Sequence, residues 1–87
     1  MKFRDDYVSR EHRYSIGVEL DSGKSYVSIP VSNGLVDYEE YYEVSADDAK
    51  LYRDNVASAV AFVRRCKSRE LDRLLLIQPG SNRGVPT

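Results

Sequence analysis

Cysteine is almost missing from this chain: Cys66 is the only one in 87 residues. A lone thiol cannot form an intrachain disulfide, so the fold is not disulfide-stapled, and the composition suits a reducing, cytoplasmic compartment. Histidine is equally scarce. His12 and Cys66 stand far apart, and no spacing of metal ligands exists, so neither a metal nor another cofactor is expected. No apolar run approaches the ~18 residues of a membrane span. Met1-Lys2-Phe3-Arg4-Asp5-Asp6 lacks the apolar stretch of a secretory signal. Net charge is also missing: 13 basic residues face 14 acidic ones, for a net charge of −1. No overall field therefore draws nucleic acid or an anionic membrane. Internal repeats and low-complexity tracts are absent. Gly80-Ser81-Asn82-Arg83-Gly84 contains glycines but opens no helix, so it is not a phosphate loop.

What is present is the material of one small globule. Apolar residues make up 41% and charged residues 31%, too apolar for a disordered chain. Charge is unevenly spread. Asp37 to Asp48 holds six acids and no base, whereas Arg64 to Arg73 holds five bases and two acids.

Residues 1–11 are highly charged and lack a period. They are expected as a flexible lead-in, with Phe3 and Tyr7 available to dock on the domain. Clean alternation follows. Tyr14, Ile16, Val18 and Leu20 alternate with Arg13, Ser15, Gly17 and Glu19, the period of a strand with one buried face. After the turn signal Asp21-Ser22-Gly23-Lys24, Val27, Ile29 and Val31 alternate with Tyr26, Ser28 and Pro30. Asn33-Gly34 marks a second hairpin, and a third strand runs from about Leu35 to Val44. Two-residue loops at Ser22-Gly23 and Asn33-Gly34 would set Val18 against Val27, Ile16 against Ile29, Val31 against Val36 and Ile29 against Tyr38. All the apolar pairs then share one side, and a one-residue slip would turn a strand inside out. Pro30 and Glu40 fit badly in such a ladder. They predict a bulge or fraying, with regular pairing of the third strand only to about Glu39.

Ser45 is a good N-cap, with Asp47 and Asp48 in the following turn. Ala49, Tyr52, Val56, Ala59, Val60, Phe62, Val63 and Cys66 fill one arc of a single helix predicted over 46–69. Asn55 belongs at the rim of that arc. Leu74-Leu75-Leu76-Ile77 reads as a short buried strand, ended by Gln78-Pro79-Gly80. The expected architecture is a β-β-β-α-β two-layer sandwich of the α+β class. Its mostly antiparallel four-stranded sheet has order 3-2-1-4, and one helix crosses one face. Residues 12–78 form the domain and 79–87 an irregular tail.

One sheet face is left without a helix. The two-residue loops predict its rows: Glu19-Tyr26-Tyr41, Gly17-Ser28-Glu39 and Ser15-Pro30-Asp37, with Glu43 beyond. Tyrosines supply rigid contact area, and Asp37, Glu39 and Glu43 an acidic stripe. The candidate partner-binding residues are therefore Glu19, Tyr26, Asp37, Glu39, Tyr41 and Glu43. The partner they suit is another protein with a basic surface, as for an inhibitor or immunity-type protein facing a basic nuclease.

An enzyme is not expected. Cys66 lies in the apolar arc at the helix end where the dipole raises a thiol pKa. Glu39 and Glu43 are about 14 Å apart by strand rise, too far for a glycosidase pair. The alternative is nucleic-acid binding through Arg64, Arg65, Lys67, Arg69 and Arg73, with tyrosines as stacking platforms. Carboxylates beside those tyrosines would repel phosphate. A homodimer formed through the open face or a sheet edge, or an adaptor subunit, is a further alternative.

Overall fold

A computed structural model describes all 87 residues. Four strands, β1 (Phe3–Ser9), β2 (Tyr14–Glu19), β3 (Ser25–Ser32) and β4 (Asp37–Val44), precede helices α1 (Ala46–Asp54) and α2 (Val56–Lys67). A single 3₁₀ turn, Asp72–Leu74, and a two-residue strand β5, Val85–Pro86, complete the chain. The class is α+β, with an antiparallel sheet of order β1-β2-β3-β4 and β5 paired to the end of β3. No helix is long and apolar enough to cross a membrane.

Both hairpins are present with their faces as expected, but each is shifted by two residues. Ile16 pairs with Val27 rather than Ile29, and Val31 pairs with Tyr38 rather than Val36. The loops are longer than two residues because side chains build them. Glu19 accepts bonds from the Asp21 and Ser22 amides at 3.0 and 2.9 Å. Asn33 Oδ1 accepts from the Leu35 and Val36 amides, each at 3.0 Å, an Asx turn. A shift of two keeps every side chain on its face, since the side-chain period is two.

The expected order 3-2-1-4 and the single helix are both corrected. Residues 1–11 are not a loose lead-in. They hold β1, which pairs along β2 with a bulge between Asp5 and Tyr7. Residues 74–77 are not a fourth sheet strand on the Tyr14–Glu19 edge. They contribute one antiparallel bridge, Leu75 to Tyr42, at the opposite edge of the sheet. The helix breaks at Asn55, an extended residue that ends α1 and caps α2 by accepting a bond from the Ser58 amide at 3.0 Å. Asparagine competes for backbone bonds in this way, which makes it a capping residue rather than a helix interior one. The break leaves Val56 exposed and Val60 half-buried, while Ala49, Ala59, Val63 and Cys66 are buried.

The core lies between the helices and one sheet face: Tyr14, Ile16, Val27, Ile29, Val31, Tyr42 and Val44 meet the buried helix residues, Leu71 and Leu75. Each large aliphatic side chain buried there contributes roughly 1.5–3 kcal/mol. Cys66 is among them, and burial pushes its thiol up to about 12, so it is inert at neutral pH.

Pro30 is accommodated without a bulge. It pairs with Glu39, and its carbonyl turns away from β4 to accept the Thr87 amide at 3.1 Å. The Pro30–Glu39 pair therefore exchanges no bonds, and the missing N–H falls where β2 has already left β3. Beyond it β4 pairs regularly to Val44, further than Glu39. Glu40, the other misfit, is neutralised. Arg83 donates to its carboxylate through Nε at 2.7 Å and through a terminal nitrogen at 3.1 Å. The same guanidinium holds Asp72 at 2.8 and 2.9 Å. The tail is thereby tied to the sheet, and Gly84 lies so close to Ser32 that a Cβ would sit 2.7 Å from its backbone.

Candidate functional site

Alternation along β4 sends Asp37, Glu39, Tyr41 and Glu43 to the face without helices. The two-residue shifts rearrange the expected rows into Gly17-Tyr26-Glu43, Ser15-Ser28-Tyr41, Pro30-Glu39 and Ser32-Asp37.

Part of this face is closed by β1. The bulge at Asp6 lets Phe3 and Asp5 point to the outer face while Tyr7 points to the helices. The Phe3 ring stacks on Tyr41 with centroids 3.6 Å apart and planes at 10°. Tyr26 meets both edge-on, at 5.5 Å from Phe3 and 4.9 Å from Tyr41. Edge-to-face pairs such as the two that Tyr26 makes add about 0.5–1.5 kcal/mol each beyond area burial. Tyr26 is fully buried over Gly17, and its hydroxyl donates to Asp5 Oδ1 at 2.6 Å. Burial, with the Asp5 carboxylate beside it, raises the Tyr26 pKa.

Two of the six candidate residues are therefore out of a partner's reach. Tyr26 is the centre of this aromatic cluster. Glu19 is buried in the β2–β3 turn, where the Ser22 hydroxyl and the Lys2, Asp21 and Ser22 amides hold its carboxyl down to about 2. The other four are accessible: Asp37 is exposed, and Glu39, Tyr41 and Glu43 are half-buried. Glu43 pairs with Lys24 at 3.5 Å, both side chains being about half exposed, a contact of little energetic weight.

Asp37 and Glu39 have no cationic partner within salt-bridge distance, and neither has Asp5. Glu39 accepts one bond, from Ser28 Oγ at 3.0 Å. Its pKa is raised by burial, with the Asp5 charge adding to the rise, against the opposing pull of the Ser28 bond and of Arg13. Burial likewise raises Tyr41, helped by the Glu39 charge. A desolvated carboxylate with no cation in contact is electrostatically unfinished. Phe3 and Asp5 were invisible as site residues because the bulge removes the period-two pattern from β1.

Beside this face runs a cleft of about 690 Å³. One wall is the edge of β4 from Tyr38 to Tyr41, and the other is the loop from Ile77 to Asn82. The loop begins along β4, with the Leu76 amide bonded to the Tyr41 carbonyl at 2.9 Å. It then swings away at Ile77 and returns at Arg83.

The five basic residues do not gather into one patch. Arg64 and Lys67 line a shallow hollow with His12 and Arg13. Arg65 pairs with Glu70 at 3.7 Å. Arg69 donates to the Gly84 carbonyl at 3.3 Å and Arg73 to the Glu70 carbonyl at 3.4 Å, so both are engaged on the protein's own backbone. No family model, curated protein or solved structure matched this chain.

Proposed function

We propose that this chain is a non-catalytic protein-binding domain. Asp37, Glu39 and Glu43, with Tyr41, hold a partner that presents a basic surface. An inhibitor or immunity-type role toward a basic protein, such as a nuclease, suits that chemistry, because a carboxylate stripe mimics phosphate and steers fast association. The observation that carries the reading is Glu39. It is half-buried, has one neutral hydrogen-bond partner, and lies beside Asp37 and Asp5, which also lack a cation. A partner's lysine or arginine would complete it. Nucleic-acid binding is the weaker reading, since Arg65, Arg69 and Arg73 are turned to separate internal partners. A homodimer through this face would set carboxylate against carboxylate.

The test uses two baits, the wild type and D37N/E39Q, in nuclease-treated cell lysate of the source organism. A stoichiometric protein retained by the wild type and lost from the variant is the expected result. Binding that nuclease abolishes, or that the variant retains, overturns the reading.

A further inference from the structure

We infer that the free edge of β4 at Asp37–Glu39 receives an extended partner segment of alternating basic and apolar residues, added antiparallel as a new strand. This rests on the acidic-face reading above and names how the partner is held.

Backbone geometry comes first. The Pro30–Glu39 pair exchanges no bonds, so the Glu39 N–H and C=O point away from β3, into the cleft. Ladder alternation gives Asp37 and Tyr41 the same orientation. The Tyr41 carbonyl is already taken by the Leu76 amide, which confirms that direction. At Asp37 and Glu39 no backbone bond from the tail continues the ladder.

The empty track is one that the chain itself begins and abandons. Leu75 lies antiparallel to β4 at Tyr42. Two residues later the chain leaves, toward Pro79, which has no N–H to donate, and the Arg83 clamp brings it back. The 690 Å³ cleft is the strand position so vacated. An added segment in the Leu75 orientation continues an existing ladder, the backbone mode by which sheet edges take up peptides.

Side chains set the occupant's chemistry. Residues of the added strand opposite Asp37 and Glu39 share the outer face with those unpaired carboxylates, so they are lysine or arginine. Their neighbours point to the other side, toward Tyr38 and the exposed Ile77, so they are apolar. A second copy of this chain is a poor occupant. Its own β4 edge would bring Asp37 and Glu39 against themselves, and its β1 edge is bulged and carries Asp5 and Asp6.

The probes are blocked hexapeptides of alternating lysine and valine. In antiparallel addition the residues opposite Asp37 and Glu39 turn their own N–H groups to β4, so the lysine nitrogens make the bonds. The expected result is slowed amide exchange at Asp37 and Glu39. Methylation of the valine backbone nitrogens leaves binding intact, and methylation of the lysine backbone nitrogens weakens it roughly tenfold or more. Equal binding of the two methylated peptides overturns strand addition, and if D37N/E39Q weakens both, the acidic-face reading survives. Failure of every peptide to bind also overturns strand addition, and the two-bait capture then decides the acidic-face reading alone.

Discussion

Glu39 and Glu40 are neighbours on β4, and the pleat sends them to opposite sides of the sheet. Glu40 faces the helices, is almost fully buried, and is gripped by Arg83, with the Tyr42 hydroxyl 3.1 Å away. Glu39 faces outward, is half-buried, and has only Ser28. Two identical side chains, one residue apart, thus stand for two uses of a carboxylate. On the helix side the fold supplies its own cation, and the result is structure. On the outer side no cation comes within salt-bridge distance of Glu39, Arg13 acting on it only from further off, and the charge is left for something else to neutralise.

The strongest test of this contrast is Arg83→Ala. It strands Glu40 in the core, and a loss of about 3–5 kcal/mol in urea unfolding is expected. A loss below about 1 kcal/mol would mean that Glu40 hydrates itself and that the two glutamates are alike. Gly17→Ala attacks the outer face. The new methyl meets the Arg4 carbonyl and lies 2.6 Å from the Tyr26 hydroxyl, so β1 has to shift, at a cost of about 1–3 kcal/mol. Unchanged melting would show that the Phe3–Tyr26–Tyr41 cluster is slack. Ser28→Ala removes the only bond to Glu39 and is expected to cost about 1 kcal/mol, with the Glu39 pKa, followed by NMR titration, rising further. A fall instead would mean that Ser28 is not what restrains the charge.

The smallest effect has the opposite sign. A raised carboxyl pKa means that ionised Glu39 weakens the fold above its folded pKa, and that the penalty fades as pH falls through that value. Glu39→Gln is therefore expected to stabilise at neutral pH, by up to about 0.5 kcal/mol, and to lose that advantage in acid. Glu19 works the other way. Its carboxyl is lowered from 4.5 to about 2, so the stability it lends is complete above pH 4.5 and drains away as pH falls toward 2. A Glu19→Gln variant should have the flatter acid limb in a pH series of melts.

The parts legible in the sequence were those governed by side-chain period. Tyr14, Ile16, Val27, Ile29 and Val31 reach the core because alternation fixes the face whatever the loop length, provided the shift is even. The loop lengths were hidden because Glu19 and Asn33 act through backbone bonds that no pattern reveals. β1 was illegible for a sharper reason: one extra residue at Asp6 puts Phe3 and Tyr7 on different faces. A place for Asn55 at the rim of the apolar arc is compatible with a single helix, but its side chain caps and makes two. Of the candidate site, Asp37, Glu39, Tyr41 and Glu43 stand on an accessible face. Glu19 and Tyr26 carry the same alternation but are withdrawn, one by its own turn and one by the bulged strand β1, whose sequence shows no period.

The Arg83 clamp also bears on the order in which the molecule can be completed during synthesis. Glu40 leaves the ribosome 43 residues before its cation. Until Arg83 arrives, closing the helices over β4 would bury an unneutralised charge, so the earlier strands and both helices can form but not seal. Core closure thereby waits on the segment that carries Arg83. Chains truncated before Arg83 should stay protease-sensitive, and chains that include it should become resistant in one step.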